Sequence, residues 1–352
     1  MHIVKRLPFL DWTRGLAVVL MIVCHTFNSF VRPDAQSFGG YMLSQFVGGM
    51  AAPLFLFMAG MTLAFQMESW DRKLLSARGR WLFALRRGAY VLGLAYLFRL
   101  SNYVGSLPDG PWQEITKVDI LNAMGLAMMA FSPAALLASD KRAQLAAAGG
   151  LMIAAASPLV ANLDWSQTPT LVRDYLIPMP AGGRFGFFPY GSYIGFGVAA
   201  GTVIKRSTEE SLHRLMQWVT LIGLTLVSGA QYFSTLPFSV YSNSSFWTDS
   251  PGLIVIRLGV SLLMLAVAYV WTEYCAGAGW SWMQTLGRNS LMVYWTHLMI
   301  VYGAGTKQFH GSLNISRATL ATLVVLGLMT GLSVAWRELK MKIAAAREGC
   351  GD

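Results

Sequence analysis

Apolar runs of roughly twenty residues recur along the whole chain, and no other feature constrains its fold as strongly. They fall at about 10–31, 46–66, 81–100, 119–138, 143–163, 185–204, 215–234, 252–274, 283–305 and 318–337. Twenty apolar residues in a helix span the hydrocarbon core of a bilayer, where every backbone N–H and C=O must be satisfied inside the segment. The expected fold class is therefore all-α: a polytopic bundle of about ten spans forming one membrane domain. Residues 10–337 would make the bundle, between short tails at 1–9 and 338–352. A chain of 352 residues that is 55% hydrophobic and only 12% charged cannot cover its surface for water, which excludes a soluble domain.

The remaining totals exclude other classes. A formal charge of +10 would raise the question of nucleic acid in a soluble protein. Here the basic residues crowd into short loops, where topology explains them, and no nucleic-acid partner is expected. Cys24, Cys275 and Cys350 are scattered without a CxxC spacing, so neither a disulfide framework nor a metal site is indicated. The N-terminal run is basic and then apolar, like a signal peptide. It is about twenty residues long without an A-x-A site, and is expected to be retained as the first span. Glycine and proline at Gly186, Pro189, Gly191, Gly195, Gly197 and Gly201 make a broken or re-entrant sixth span an expectation.

Loop charge orients the bundle. With the N-terminus in the cytoplasm, Lys5, Arg6, Arg72, Lys73, Arg78, Arg80, Lys141, Arg142, Lys205, Arg206, Arg214, Arg337, Lys340, Lys342 and Arg347 face inward. Only Arg32, Lys117, Arg173, Arg184, Lys307 and Arg317 face outward. That asymmetry favours both termini inside, an even number of spans and, in a bacterium, the inner membrane.

Four groups of polar residues break the apolar pattern. In the first span Asp11 precedes Arg14 by three residues, where they can pair, and His25 follows eleven residues on, about three turns and nearly the same face. Ionisable groups inside a span are costly and mark function by default, although His25 could equally be a neutral imidazole bonding a neighbouring helix. The second group is Arg80, Arg86 and Arg87, with Arg72, Lys73 and Arg78 just before. Guanidinium forks match phosphate oxygens, and the competing explanation is snorkelling to lipid headgroups. The third is Ser290, Tyr294 and His297, a polar stripe along the ninth span that could also be helix-packing glue. The fourth is Asp119 with Asn122 at the start of the fourth span, where Asp119 is a competent N-cap and an acceptor-binding role is the sharper alternative. Glu68, Arg99, Arg257 and Glu273 near span ends have no assigned role.

Taken in order, Asp11-x-x-Arg14-Gly15 with His25, Ala52-Pro53-Leu54-Phe55-Leu56-Phe57-Met58-Ala59-Gly60-Met61, Arg86-Arg87-Gly88, Asp119-Ile120-Leu121-Asn122 with Gly125, and Leu286-Gly287-Arg288-Asn289-Ser290 with Tyr294 and His297 form a pattern. It resembles the heparan-α-glucosaminide N-acetyltransferase-like family of membrane acyltransferases, which is related to the acyltransferase family three O-acetylases. In those families an acetyl group from cytoplasmic acetyl-CoA reaches a sugar on the far side of the membrane. The resemblance implies that His25, matching the first-span histidine of the O-acetylases, is the catalytic base or acyl carrier. The loop at 32–45 holds no histidine, so at this position the chain is closer to the O-acetylases.

The roles that follow are expectations. Coenzyme A phosphates would be held by Arg14, Arg80, Arg86, Arg87 and Arg288, with Ser290 beside them. His25 would act with His297 and Asp119, while Asn28, Asn122 and Tyr294 would meet the acceptor. Acetyl-CoA enters as acyl-donor substrate and no metal is expected. The partners are membrane lipid, acyl-CoA and a sugar or glycan acceptor, with a homodimer as an open option for assembly. The competing class is a transporter or flippase of a lipid-linked or small polar solute, for which a charged intramembrane path is equally natural.

Overall fold

The computed structural model describes residues 7–107, 110–178, 185–237, 240–277 and 279–348. Lys5, Arg6, Arg184, Cys350 and the side chain of Arg347, weighed above, lie outside the described set. Helix dominates, and the β pairing among the described residues is an isolated bridge between Val31 and Leu313.

Every expected span falls on helix. The order is α1 (Pro8–Phe30), α2 (Gly39–Gly48), α3 (Ala51–Arg72), α4 (Ala77–Gly105), α5 (Ile120–Ala130), α6 (Ser139–Ala161), α7 (Thr170–Leu176), α8 (Phe187–Arg206), α9 (Glu209–Ser234), α10 (Pro251–Val270), α11 (Trp282–Arg288), α12 (Ser290–Val301) and α13 (Ile315–Glu348). Among the described residues, seven helical segments are long and apolar enough to cross a membrane: Pro8–Phe30, Gly39–Arg72, Trp112–Leu136, Ser139–Ala161, Phe187–Arg206, Pro251–Cys275 and Ile315–Ile343. The ten-span count rests on three more. Of these, α4 carries Arg78, Arg80, Arg86, Arg87 and Arg99, α9 opens on Glu209, Glu210 and Arg214, and α12 has only 12 residues. Large apolar side chains stand exposed on helix faces, among them Trp218, Leu221 and Leu224 on α9 and Leu320, Leu323 and Leu328 on α13. Such faces need lipid, and the protein is an integral membrane protein.

The chain divides into two compact units, Met1–Ala52 with Val267–Asp352, and Pro53–Ala266. In the first, α1 is the central element, and α2, α11, α12 and α13 pack on it. Three glycines set these contacts. A Cβ on Gly287 would run into the backbone of Asp11 and Gly15, one on Gly15 into the backbone of Met283, and one on Gly48 into Cys24. Beyond α1, Val31 is extended, and Gly311, in the left-handed region at φ 59°, donates its N–H to the Ser29 carbonyl at 2.9 Å. Leu313 N–H donates to Phe30 O at 2.9 Å and Arg32 N–H to Leu313 O at 2.9 Å, so the segment before α13 is strapped to the end of α1. Phe27, Val31, Ala35 and Ala318 form the apolar plug beneath that strap.

The second unit packs α6 on α8 and α4 on α5. Its glycines correct where the sixth span breaks: it is kinked at Phe188, near its start, and not at Gly191, Gly195, Gly197 or Gly201. Apart from Phe188 near its start, α8 is continuous, and Gly197 and Gly201 lie against the backbone of Phe57 and Met61 on α3. They serve close approach between helices. Arg142 is a second correction, because it is no loop charge. It is fully buried, donating from Nη1 to Glu68 Oε1 at 2.8 Å, from Nη2 to Asp71 Oδ2 at 2.8 Å and from Nε to the Ala134 carbonyl at 3.1 Å. Arg80 pairs with the other oxygen of Asp71. Two guanidinium groups thus answer two carboxylates, which is how buried charge becomes tolerable.

Two stability predictions follow from these contacts. Gly287→Ala forces a methyl into backbone and should destabilise by about 1–3 kcal/mol, whereas Gly327→Ala on α13, whose Cβ meets nothing within 4 Å, should be neutral or stabilising in thermal unfolding in detergent. Arg142→Met strands Glu68, while Asp71 keeps Arg80, and should cost about 3–5 kcal/mol by the same measurement.

Candidate active site

The first unit brings four of the expected site residues into two contacts. At one end of α1, Asp11 is buried in the first turn and is flanked by two guanidinium groups. Arg288 donates from Nε to Asp11 Oδ2 at 3.1 Å, and Arg14 Nη1 lies 3.8 Å from Oδ1. Both cations keep exposed surface, 39% of the Arg288 side chain and 27% of that of Arg14. Guanidinium groups with exposed edges match the geometry of phosphate oxygens.

Eleven residues further along α1, His25 meets His297 of α12. His25 Nδ1 lies 3.1 Å from His297 Nε2, with the rings 5.2 Å apart and 18° from parallel. His297 is fully buried, while His25 is half-buried. The Asp11–Arg288 and His25–His297 contacts together set α1 and the α11–α12 segment side by side and pointing the same way.

Local structure holds both imidazoles. On α12 the His297 Nδ1 bonds to the Val293 carbonyl one turn back at 2.7 Å, and the Tyr294 ring meets the imidazole edge to face at 6.0 Å. On the α1 side, Gln45 of α2 donates to the Cys24 carbonyl at 3.3 Å, next to His25, in the close approach that Gly48 permits. Ser29 donates to the Val301 carbonyl at 2.9 Å and ties the far ends of α1 and α12. Asn28 donates to Tyr302 Oη at 3.1 Å, and the Tyr302 ring stands edge-on to His25 at 5.8 Å. Tyr302 follows the last turn of α12 and gives no helical-pattern signal, so the sequence reading missed it.

Ser290 opens α12, and Ser290, Tyr294 and His297 lie on that one helix as expected, while the ninth span is divided just before them. Asn289 is non-helical (φ −109°, ψ 19°) and its amide donates to Thr285 O at 3.0 Å and Ser333 O at 3.3 Å, dividing the segment into α11 and α12. Among the described residues, no three His, Cys, Asp or Glu side chains converge as a metal-binding group.

Residues 7–336 match the family model of acyltransferase family 3, an acyltransferase domain. The chain belongs to acyltransferase family 3. No curated protein matches it. The protein is thus a membrane acyltransferase by family, and the His25–His297 pair lies within the matched region.

The other expected site residues of this acyltransferase belong to the second unit. Asp119 is the N-cap of α5, accepting from Leu121 N–H at 2.9 Å in a capping box that Asn122 completes, and it pairs with Arg99 at 3.1 Å. Asn122 donates to Tyr175 Oη at 2.9 Å, and Tyr175 donates to Tyr96 Oη at 2.8 Å. Burial first, then the bond to Tyr96, hold the Tyr175 phenol above the usual range, so it remains a donor. On α4, Arg80 is engaged by Asp71, Arg87 lies over the Tyr90 ring at 5.6 Å, and Arg86 is exposed. Arg99 and Glu68, unassigned from sequence, prove to be the partners of Asp119 and Arg142.

Replacing Asp119 separates its cap from its charge. Asp119→Ala should lose the cap at a cost of about 0.5–2 kcal/mol, beyond any loss from Arg99, while Asp119→Asn keeps an N-cap acceptor and should unfold at a higher temperature than the alanine variant.

Proposed function

We propose that this acyltransferase moves an acetyl or other short acyl group from cytoplasmic acyl-CoA to a hydroxyl or amine of an extracytoplasmic sugar or glycan. The observation that carries the reading is the pairing of His25 with His297 on the same two segments that hold Asp11, Arg14 and Arg288. One end of that track offers cations for the phosphates of coenzyme A. The other offers a neutral imidazole, whose ordinary pKa near 6.5 suits a general base. With about 1.5 Å of rise per residue, the eleven residues from Arg14 to His25 cover roughly 16 Å, a distance that an extended pantetheine arm can bridge.

In the transfer, the acceptor oxygen or nitrogen attacks the thioester carbonyl and its proton passes to His25 as the new bond to the acyl carbon forms. The carbon–sulfur bond then breaks, and His25 returns the proton to the departing thiolate. Proton number and charge balance with no further reactant. Asn28 and Tyr302 stand beside His25 at the same end of α1 and would meet the acceptor there. The inward orientation of the Arg14 end follows the loop-charge asymmetry. The first-span histidine, shared with envelope O-acetylases, favours a hydroxyl acceptor over the amine of the heparan-α-glucosaminide N-acetyltransferase-like enzymes.

Purified protein in nanodiscs, given acetyl-CoA labelled in the acetyl group and a panel of sugars with free hydroxyl or amino groups, tests the proposal. His25→Ala should abolish label transfer. Arg288→Ala should raise the KM for acetyl-CoA about ten- to a hundred-fold, the loss of one charge-assisted hydrogen bond, with kcat little changed. Full transfer by His25→Ala removes the catalytic assignment, and absence of acyl-CoA binding to the wild-type protein removes the donor.

A further inference from the structure

We infer that His297 is a positioning residue: it holds the proton of neutral His25 on Nδ1, so that the lone pair presented to substrate is on Nε2, and it takes no proton itself during transfer. The role in transfer rests on the proposed function above, while the tautomer stands on geometry. The Val293 carbonyl can only accept, so the His297 nitrogen 2.7 Å from it, Nδ1, carries the hydrogen. In a neutral imidazole the other nitrogen, Nε2, is then a lone pair. That lone pair faces His25 Nδ1 at 3.1 Å, and two lone pairs at that distance repel. The hydrogen between the rings therefore belongs to His25 Nδ1, and the basic nitrogen of His25 is Nε2.

A charged His297 is the competing arrangement, and its surroundings oppose it. Its side chain is fully buried, its contacts include a backbone carbonyl and the rings of His25 and Tyr294, and a second cation beside a protonated His25 would add like-charge repulsion. When His25 Nε2 gains the acceptor proton, its charge instead strengthens the existing Nδ1–H bond to the His297 lone pair. The chain of support runs through α12 itself: the helical carbonyl fixes His297, and His297 fixes His25. This is the base-and-orienter logic of an activated site, with a neutral imidazole as orienter.

The test is the nitrogen spectrum of the full chain in nanodiscs with 15N-labelled histidine, because ring nitrogens with and without a hydrogen are well separated. The chain has five histidines, and the signals of His25 and His297 are assigned by their loss in His25→Asn and His297→Leu. The expected wild-type result is a protonated Nδ1 and a bare Nε2 on both. In His297→Leu the hydrogen of His25 should leave Nδ1 or exchange between nitrogens, and transfer should fall about a hundred-fold in kcat with little change in the KM for acetyl-CoA. His297→Gln offers an amide oxygen to the same Nδ1–H, so it should keep that signal and restore transfer to within about ten-fold of wild type.

Wild-type His25 protonated on Nε2, or His297 protonated on both nitrogens, overturns the inference without any variant having to fold. A His297→Gln protein that keeps the Nδ1–H signal but stays as inactive as His297→Leu overturns the positioning role, since His297 would then be carrying the proton. The expected tautomers in a protein that transfers no acyl group uphold the tautomer assignment and overturn the proposed function instead.

Discussion

The histidine pair depends on a backbone approach ten residues away, about half the length of a span. Gly15 and Gly287 allow α1 and α11 to meet so closely that neither position has room for a methyl group. That contact fixes the lateral spacing of the two segments where they begin, and the Ser29 bond to the Val301 carbonyl fixes it where they finish. The Asp11–Arg288 contact sits beside the first tie, and the His25–His297 contact falls between the two. A ring-to-ring hydrogen bond tolerates only a few tenths of an ångström of slack, so the polar pair is held by small residues and backbone bonds.

The second unit uses the same residue types to satisfy buried charge. Arg142, Glu68, Asp71 and Arg80 answer one another's charge, with backbone carbonyls closing the remaining donors of Arg142. Asp119 divides its oxygens between a helix cap and Arg99. Satisfied charge of this kind fixes geometry at a desolvation cost. Arg14 and Arg288 flank Asp11 from two segments of the first unit, and both keep exposed surface.

Helices were legible because a bilayer imposes one rule, about twenty apolar residues with internally satisfied backbones, and each expected run is helical. Polar side chains were legible as exceptions to that rule, which is why Asp11, Arg14, His25, Asp119 and His297 stood out. Local pairing, as of Asp11 with Arg14, was legible too, but partners distant in sequence were not. Arg142 looked like a loop cation because it follows Lys141 at the start of a helix, and only the fold brings Glu68 and Asp71, more than seventy positions away, onto it. The glycines of α8 read as breakers because sequence does not say which face meets another backbone. Tyr302 carried no signal, since an aromatic residue at the end of an apolar run is ordinary at a membrane interface.

By itself, the sequence determined the solvent of this protein, its all-helical class and the residue types able to carry acyl transfer. Those follow from local composition and spacing, which any stretch of chain displays. The tertiary structure decided which ionisable groups neutralise each other and which are left to act. His25 and His297 are 272 positions apart, and no periodicity relates them. Their 3.1 Å contact, and with it the placement of a single proton, exists only where the two segments are packed against each other.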